Sequence, residues 1–224
     1  MKEPRLAVFD CDGTLVDSLE SIVRSMATAF ETHGFMAPSP ADVRRVVGLP
    51  LQEAIARLGG LLDESTVQAV RRTYSQYFFE LRTSHAVSEP LYPGVAKALD
   101  GLESDGWLLG IATGKARRGL EATLKPHGLA DRFVTKQTSD VAAGKPNPDM
   151  LIRAMAETGA DAESTVMIGD TVFDIQMARN AGTWAVGVAW GYHEKDELSE
   201  AGAHIVIDRF DDLIDGVRRM MEAR

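Results

Sequence analysis

The sequence runs to 224 residues, 45% of them hydrophobic and 25% charged, the balance of a globular chain long enough for one large domain or a medium domain carrying a smaller one. Its 24 Lys and Arg against 33 Asp and Glu leave a formal net charge of −9, which excludes a general attractive field for DNA or RNA; any anion must be held by a local device. Cys11 is the single cysteine, which excludes an internal disulfide and, with no CxxC or Cys/His cluster around it, a zinc site.

The opening "MKEPRLAVFD" holds too short an apolar stretch for a signal peptide. No later run reaches the ~18 apolar residues of a membrane span. A cytoplasmic protein with no membrane and no nucleic-acid partner is expected. "LAVF" (6–9) reads as a buried strand and runs directly into Asp10 and Asp12. The pattern then turns helical. Leu19, Ile22, Val23, Met26 and Phe30 share one face, and Asp17 with Glu20 resembles a capping box at its start. Shorter helices fit 41–47 and 51–58, and Val67, Val70, Tyr74, Tyr77, Phe78 and Leu81 make a second apolar stripe. Between the short helices, Gly48 and Pro50 break the pattern in "VGLPL".

Beyond "SEPLYPG", apolar runs return at "WLLGIA" (107–112), "RFVT" (132–135), "TVMI" (165–168), "WAVGVA" (184–189) and "HIVI" (204–207), mostly one helix-length apart. Such alternation predicts an α/β fold, a doubly wound parallel sheet covered on both faces. The long interruption predicts an inserted all-helical domain at 16–90, with 1–15 and 91–224 forming the sheet domain. No exposed apolar helix stands out, so the sequence sets no oligomeric state.

Parallel sheets bind ligands beyond the carboxyl ends of their strands. The first strand ends in Asp10 and Asp12, the second in Thr113, Gly114 and Lys115, and the fourth in "GDTVFD" with Asp170 and Asp174. Lys145 lies in "GKPNPDM", where Asn147 can cap the next helix with Pro148 in its first position. Four carboxylates in one crevice repel, and a hard divalent cation such as Mg²⁺ resolves this with oxygen ligands. Thr113 supplies a hydroxyl and Gly114 an amide for phosphate oxygens, and Lys145 a balancing charge. These are parts for phosphoryl transfer, with an aspartate available as nucleophile.

"DCDGT", Thr113, Lys145 and "GDTVFD" resemble, in order, the four motifs of the haloacid dehalogenase superfamily, over nearly the whole chain. "DGTLVDS", "VGLPL", "GKPNPDM" and "WGYH" are most similar to its phosphoglycolate phosphatase-like subgroup. The resemblance implies a Rossmann-like core with a helical cap, and a Mg²⁺-dependent phosphomonoesterase for a small phosphorylated metabolite, 2-phosphoglycolate first. It implies Asp10 as nucleophile and Mg²⁺ ligand. Asp12 is implied as acid/base, its backbone carbonyl on the metal. Thr113 and Gly114 would hold the phosphoryl group, Lys145 neutralise charge, and Asp170 ligate Mg²⁺. Asp174 would act through a water or hold Lys145 in place. An acid beside Asp10 is expected to titrate high.

Simpler readings stand beside these. An EF-hand starting at Asp10 needs Gly and Glu where Leu15 and Ser21 stand, so that reading fails. Asp17 reads as a cap. Cys11 should point away from both aspartates into packing. Lys115 divides between phosphate and solvent. His193 reads as a loop residue, and Tyr74, Tyr77 and Phe78 as cap core. Arg44 and Arg45 read as a solvated face, with a substrate carboxylate as the lesser option for one of them. Gly48, Leu49 and Pro50 are the expected substrate-selecting loop, against a plain turn between helices. Within the superfamily, a dehalogenase lacks an Asp12 equivalent, and a phosphonatase needs a cap lysine where 16–90 has none. A sugar-phosphate mutase and a pyrophosphatase remain as alternatives. A silent binding module is disfavoured by the intact aspartates, and a signalling receiver by the helical insert and Asp12.

Overall fold

A computed structural model describes residues 4–84 and 86–222. Strand β1 (Arg5–Phe9) leads into four helices: α1 (Leu19–Thr32), α2 (Pro40–Val46), α3 (Leu51–Gly59) and α4 (Glu64–Thr83). The chain then alternates: α5 (Val95–Ser104), β2 (Trp107–Thr113), α6 (Arg117–Leu124), β3 (Thr135–Thr138), α7 (Asp149–Thr158), β4 (Thr165–Gly169) and α8 (Val172–Ala181). It closes with β5 (Trp184–Val188), α9 (Lys195–Glu200), β6 (Ile205–Ile207) and α10 (Leu213–Glu222).

The six strands form one parallel sheet in the order β3-β2-β1-β4-β5-β6. Successive side chains on a strand face opposite ways. Ala7 and Phe9 of β1 accordingly join one core with Leu109, Ile111, Val166 and Ile168, while Leu6 and Val8 join a second with Met150, Met167 and Ala178. Both faces are apolar, which is why the strands read as unbroken hydrophobic runs. Strand order reverses at β1, between β2 and β4, so the carboxyl ends of these three strands open on one crevice.

The expected strand at 132–135 is corrected to β3, Thr135–Thr138. Phe133 is a core residue whose ring stands edge-on to Phe9 at 6.5 Å, and Val134 is 61% exposed. The strand itself buries Thr135, Gln137 and Thr138. Their polar groups are satisfied locally, Gln137 Nε2 donating to Thr135 Oγ1 at 2.9 Å and Thr135 to Glu157. Apolarity alone points to the wrong residues at this edge.

Helices α1–α4 follow one another between β1 and α5. Ile22, Met26 and Phe30 of α1 meet Val67, Val70 and Phe78 of α4 in a cluster of their own, with Val43 and Ile55 from the short helices. Tyr74 stacks on Phe78 at 5.6 Å. Ser39 caps α2, accepting from Asp42 N at 3.1 Å with Pro40 following, and Asp63 caps α4 through Thr66 N at 2.8 Å. The two passages between insert and sheet run side by side. Asp17 N donates to the Pro90 carbonyl at 2.9 Å, and Tyr92 N to the Leu15 carbonyl at 3.0 Å. No helix among the described residues is long and apolar enough to cross a membrane.

Two cap expectations are corrected. Asp17 does not cap α1; Ser18 stands at that position and its side chain makes no capping bond. Its hydroxyl is directed to Asp12 instead, and a hydroxyl used by the site is lost to the helix. Pro148 occupies the N-cap of α7 rather than its first turn, while Asn147 Oδ1 accepts from Asp149 N at 3.0 Å.

Candidate active site

Asp10 follows the last residue of β1 and is 1% exposed. Its Oδ1 accepts from Cys11 N at 2.6 Å and pairs with Lys145 Nζ at 2.9 Å. Cys11 turns into the core on the other side, as alternation requires. The chain then bends at Gly13, whose φ is +82° and where a Cβ would lie 2.2 Å from Asp170 Oδ2. Only glycine allows so close an approach.

Lys145 is fully buried and bridges Asp10 to Asp174, reaching Asp174 Oδ1 at 2.6 Å. Asp174 Oδ2 accepts from the backbone N–H and hydroxyl of Thr171 at 3.0 and 2.7 Å, closing a reciprocal cap at the start of α8. Asp174 therefore holds Lys145, one of the two roles expected of it. Asp170 follows β4. Its Oδ1 accepts from the Thr14 hydroxyl at 2.7 Å and its Oδ2 from Tyr192 N at 2.9 Å. Gly191 permits this turn, since a Cβ there would sit 2.1 Å from Asp170 Cβ. "WGYH" is thereby explained as the backbone support of Asp170.

Oxygens of Asp10, Asp170 and Asp174 lie within 4.8 Å of one another, all buried. Burial pushes the Asp10 carboxyl up to about 7, with Asp174 adding repulsion and Lys145 pulling the other way. Asp170 is raised well above the carboxylate range, again by burial first and then by Asp10 and Asp174. Burial alone would lower the Lys145 ammonium, but Asp10 and Asp174 outweigh it and hold it above its ordinary value. Three buried carboxylates thus gather about one lysine that pairs with two of them, Asp10 and Asp174. This surplus of buried hard oxygen donors fits a divalent cation. Asp174 spends Oδ1 on Lys145 and Oδ2 on Thr171, whereas Asp10 engages Oδ1 alone among the hydrogen bonds and ion pairs of the described residues. No backbone N–H among the described residues donates to the Asp12 carbonyl.

The Asp12 carboxylate stands apart from that group. It accepts from Ser18 and pairs with Lys115 Nζ at 2.9 Å. Lys115 is thus held by Asp12 rather than by solvent, and its ammonium also lies 4.9 Å from the centre of the Phe78 ring on α4. Thr113 ends β2 beside β1, 1% exposed, and Gly114 follows.

The insert closes directly on this crevice. A Cβ at Gly114 would stand 2.6 Å from the Leu49 carbonyl, and one at Gly144 would stand 2.1 Å from Pro50 Cγ. Gly48, Leu49 and Pro50 are thus placed against the two loops that carry Thr113 and Lys145. Arg44, expected on a solvated face, is corrected: its Nε and Nη2 donate to the carbonyls of Tyr192 and Gly191 at 2.6 and 2.8 Å. Carbonyls freed by the turn around Asp170 explain the clamp. Arg45 does sit at the surface, paired with Glu197 at 2.5 Å. His193 is a loop residue but buried, its Nδ1 accepting from Val172 N at 3.2 Å. Sequence reasoning missed Thr14, Ser18 and Tyr192 as supports of the site; Thr14 and Ser18 stand within "DGTLVDS", and their spacing from the aspartates was the available signal.

Asp10, Asp12, Thr113, Gly114, Lys115 and the Gly48–Leu51 segment line one cavity of about 680 Å³ between sheet and insert. Gly144 tests the closing contact. Its φ is not in the left-handed region, so alanine suits the backbone while its methyl meets the Pro50 ring. We expect Gly144→Ala to lower kcat/KM about tenfold or more through displacement of the loop, with little change in Tm. Unchanged kcat/KM on 4-nitrophenyl phosphate would show that the contact has no part in turnover.

Comparison with known proteins places this architecture. The sequence profile of the family described as haloacid dehalogenase-like hydrolase matches residues 7–188. The chain is 35% identical, over 97% of its length and 95% of the relative's, to the protein of Dickeya dadantii named "Probable phosphatase IndB". It is 32% identical to the phosphoglycolate phosphatase of Vibrio cholerae, over 97% of this chain and 98% of that one. A crystal structure of a haloacid dehalogenase-like hydrolase from Bacteroides fragilis superposes with a TM-score of 0.87 at 27% identity, covering 94% of this chain and 100% of that one.

Proposed function

The chain belongs to the haloacid dehalogenase-like hydrolases and is a phosphatase of that family, and we propose that it hydrolyses phosphate monoesters of small metabolites with Mg²⁺ held by Asp10, Asp170 and the Asp12 carbonyl. The observation that carries this reading is the placement of Asp10, a buried carboxylate paired with Lys145, beside Thr113 and Gly114 under a cavity closed by helices. The family model supports the metal, and the surplus of carboxylates supports its location.

In this reading the phosphate sits among Thr113, Gly114 and Lys145. An Asp10 oxygen attacks phosphorus as the bond to the ester oxygen breaks, giving an aspartyl phosphate. Asp12 delivers a proton to the departing oxygen, so the alcohol leaves neutral. It then takes a proton from water, whose oxygen attacks the same phosphorus and restores Asp10. A cation held by Asp10, Asp170 and the Asp12 carbonyl would supply charge neutralisation for the phosphate and for Asp10. Lys145 adds positive charge beside the phosphate and fixes the orientation of Asp10. For Asp12 to donate, Lys115 must give up its hold, and the arriving negative ester is the natural competitor for that ammonium. The insert excludes water while this happens. Arg44 and the Gly48–Pro50 loop hold it closed, and the loop's contact with Gly114 supports a part for it in selecting leaving groups.

The first candidate substrate is 2-phosphoglycolate, supported by the relative of that name. Phosphate release from 2-phosphoglycolate, sugar phosphates, pyrophosphate and 4-nitrophenyl phosphate, each with Mg²⁺ and with chelator, tests the proposal. Turnover that chelator reduces by about 10³-fold or more is expected. Equal rates with and without chelator would remove the metal, and an absence of any phosphate release would remove the phosphatase assignment.

A further inference from the structure

The charges around the cavity do not balance locally. Its lining contains the acids Asp10 and Asp12 and the cations Arg71, Arg82, Lys115 and Arg118. Asp10 is matched by Lys145, and Asp12 by Lys115. Arg82 is fully engaged with Glu89 at 2.7 Å, the Gly119 carbonyl and the Thr123 hydroxyl, which joins α4 to α6. Arg71 on α4 and Arg118 on α6 have no carboxylate partner among the described residues. Both are exposed, and both line this cavity, one from α4 and one from α6.

In a chain of net charge −9, two unpaired guanidiniums at one opening are a local positive field, and low-dielectric walls concentrate it. An apolar surface accompanies it. Phe79 is 49% exposed, and the Arg118 guanidinium lies 5.1 Å from the centre of its ring. The cavity, about 680 Å³, is in the range that accepts ligands of drug size, roughly 300–1,000 Å³. That is far more than a two-carbon ester fills once its phosphate is at Asp10.

We propose that the outer cavity is a subsite for a second anionic group on the leaving-group side of the substrate, read by Arg71 and Arg118. The substrate is then a phosphate ester longer than 2-phosphoglycolate, with a carboxylate or a second phosphate at its far end and a body that lies along Phe79. This rests on the phosphatase reading above and narrows its substrate class. Arginine suits the task because its planar fork meets either anion in a bidentate fashion. Supply of one arginine from α4 and the other from α6 lets a single substrate anion tie the two helices together.

Matched esters test this. 6-Phosphogluconate and sorbitol 6-phosphate, both acyclic, differ in the far carboxylate; fructose 1,6-bisphosphate and fructose 6-phosphate differ in a far phosphate. With Mg²⁺, kcat/KM is expected to be at least about tenfold higher for the doubly anionic member of one pair, the discrimination of a single charge-assisted contact. Which pair shows it identifies the anion. The preference should shrink with added salt and should fall to within about twofold of unity in Arg71→Ala/Arg118→Ala, chiefly through KM. The Arg71→Lys/Arg118→Lys variant, which retains charge, should keep part of it and controls for misfolding. Ratios near one in the wild type, or a preference that survives the double alanine substitution, would overturn the subsite. So would failure of all four sugar esters while 4-nitrophenyl phosphate is turned over, an outcome that leaves the phosphatase reading intact. Failure of 4-nitrophenyl phosphate as well would strike at the phosphatase reading itself.

Discussion

Asp10→Asn is expected to abolish phosphate release while leaving the chain folded and no less stable. The amide keeps the size and one oxygen of the carboxylate but cannot act as the nucleophile. Loss of a nucleophile that works as a unit with its neighbours costs on the order of 10⁴–10⁶-fold in kcat. Stability should move the other way or not at all. Burial raises the Asp10 carboxyl from 3.8 to about 7, so its ionisation is disfavoured by the fold. The sign follows from linkage: the contribution of Asp10 is full below pH 3.8 and lost as pH rises through about 7. At pH 8 without metal, the wild type carries this charged group at a cost, and the asparagine variant does not. Lys145 retains Asp174. Thermal melts in chelator at pH 8 should therefore give the variant a Tm equal to or above the wild type. Residual turnover above one part in a thousand would remove Asp10 as nucleophile. A large fall in Tm would show that its negative charge is needed to balance Lys145.

Lys145→Met should damage both stability and turnover. The methionine fills much of the lysine's volume without charge. Its loss leaves Asp10 and Asp174, both buried, without the cation they share. Breaking a buried pair in this way costs about 3–5 kcal/mol, which for a chain of this size lowers Tm by roughly 6–20 °C. Turnover should fall about 10³-fold, since Asp10 loses its orientation and the phosphate a positive neighbour. A second substitution separates the two effects. Asp174→Asn added to Lys145→Met removes one of the stranded charges, so stability should recover in part while turnover stays lost. If the two substitutions instead add independently in thermal melts, the bridge seen here is not an energetic unit.

The side chains of the candidate site were legible because each is announced locally. A buried strand that ends in carboxylates is costly, so "LAVFDCDGT" and "TVMIGDTVFD" mark themselves as chemistry. Their order along the chain then converts an unremarkable Thr113 and Lys145 into site residues. The insert was legible for a related reason: residues 16–90 change from strand-like runs to helical stripes, and Ile22, Met26, Phe30, Val67, Val70 and Phe78 do form one cluster. Strand β3 was misplaced because an edge strand can bury Thr and Gln when they satisfy one another. Apolar runs are blind to that.

Other misses share a cause of a different kind. Ser18 is passed over in the sequence and serves Asp12; Lys115 divides between phosphate and solvent and binds Asp12; Arg44 reads as solvated and clamps carbonyls 147 and 148 residues away. Each residue type is common, and each role is defined by a partner remote in sequence.

The sequence by itself determined the class of fold, the helical insert, and the set of carboxylate, hydroxyl and lysine groups from which the site is built. Those follow from periodicity and from the cost of placing charge at buried strand ends. Only the tertiary structure decided which charge meets which. It gave Lys145 to Asp10 and Asp174, left Asp12 to Lys115 and Ser18, pressed Gly48–Pro50 onto Gly114 and Gly144, and left Arg71 and Arg118 facing an open cavity. Electrostatic energy depends on separation and on exclusion of water, and neither exists until distant segments are packed together.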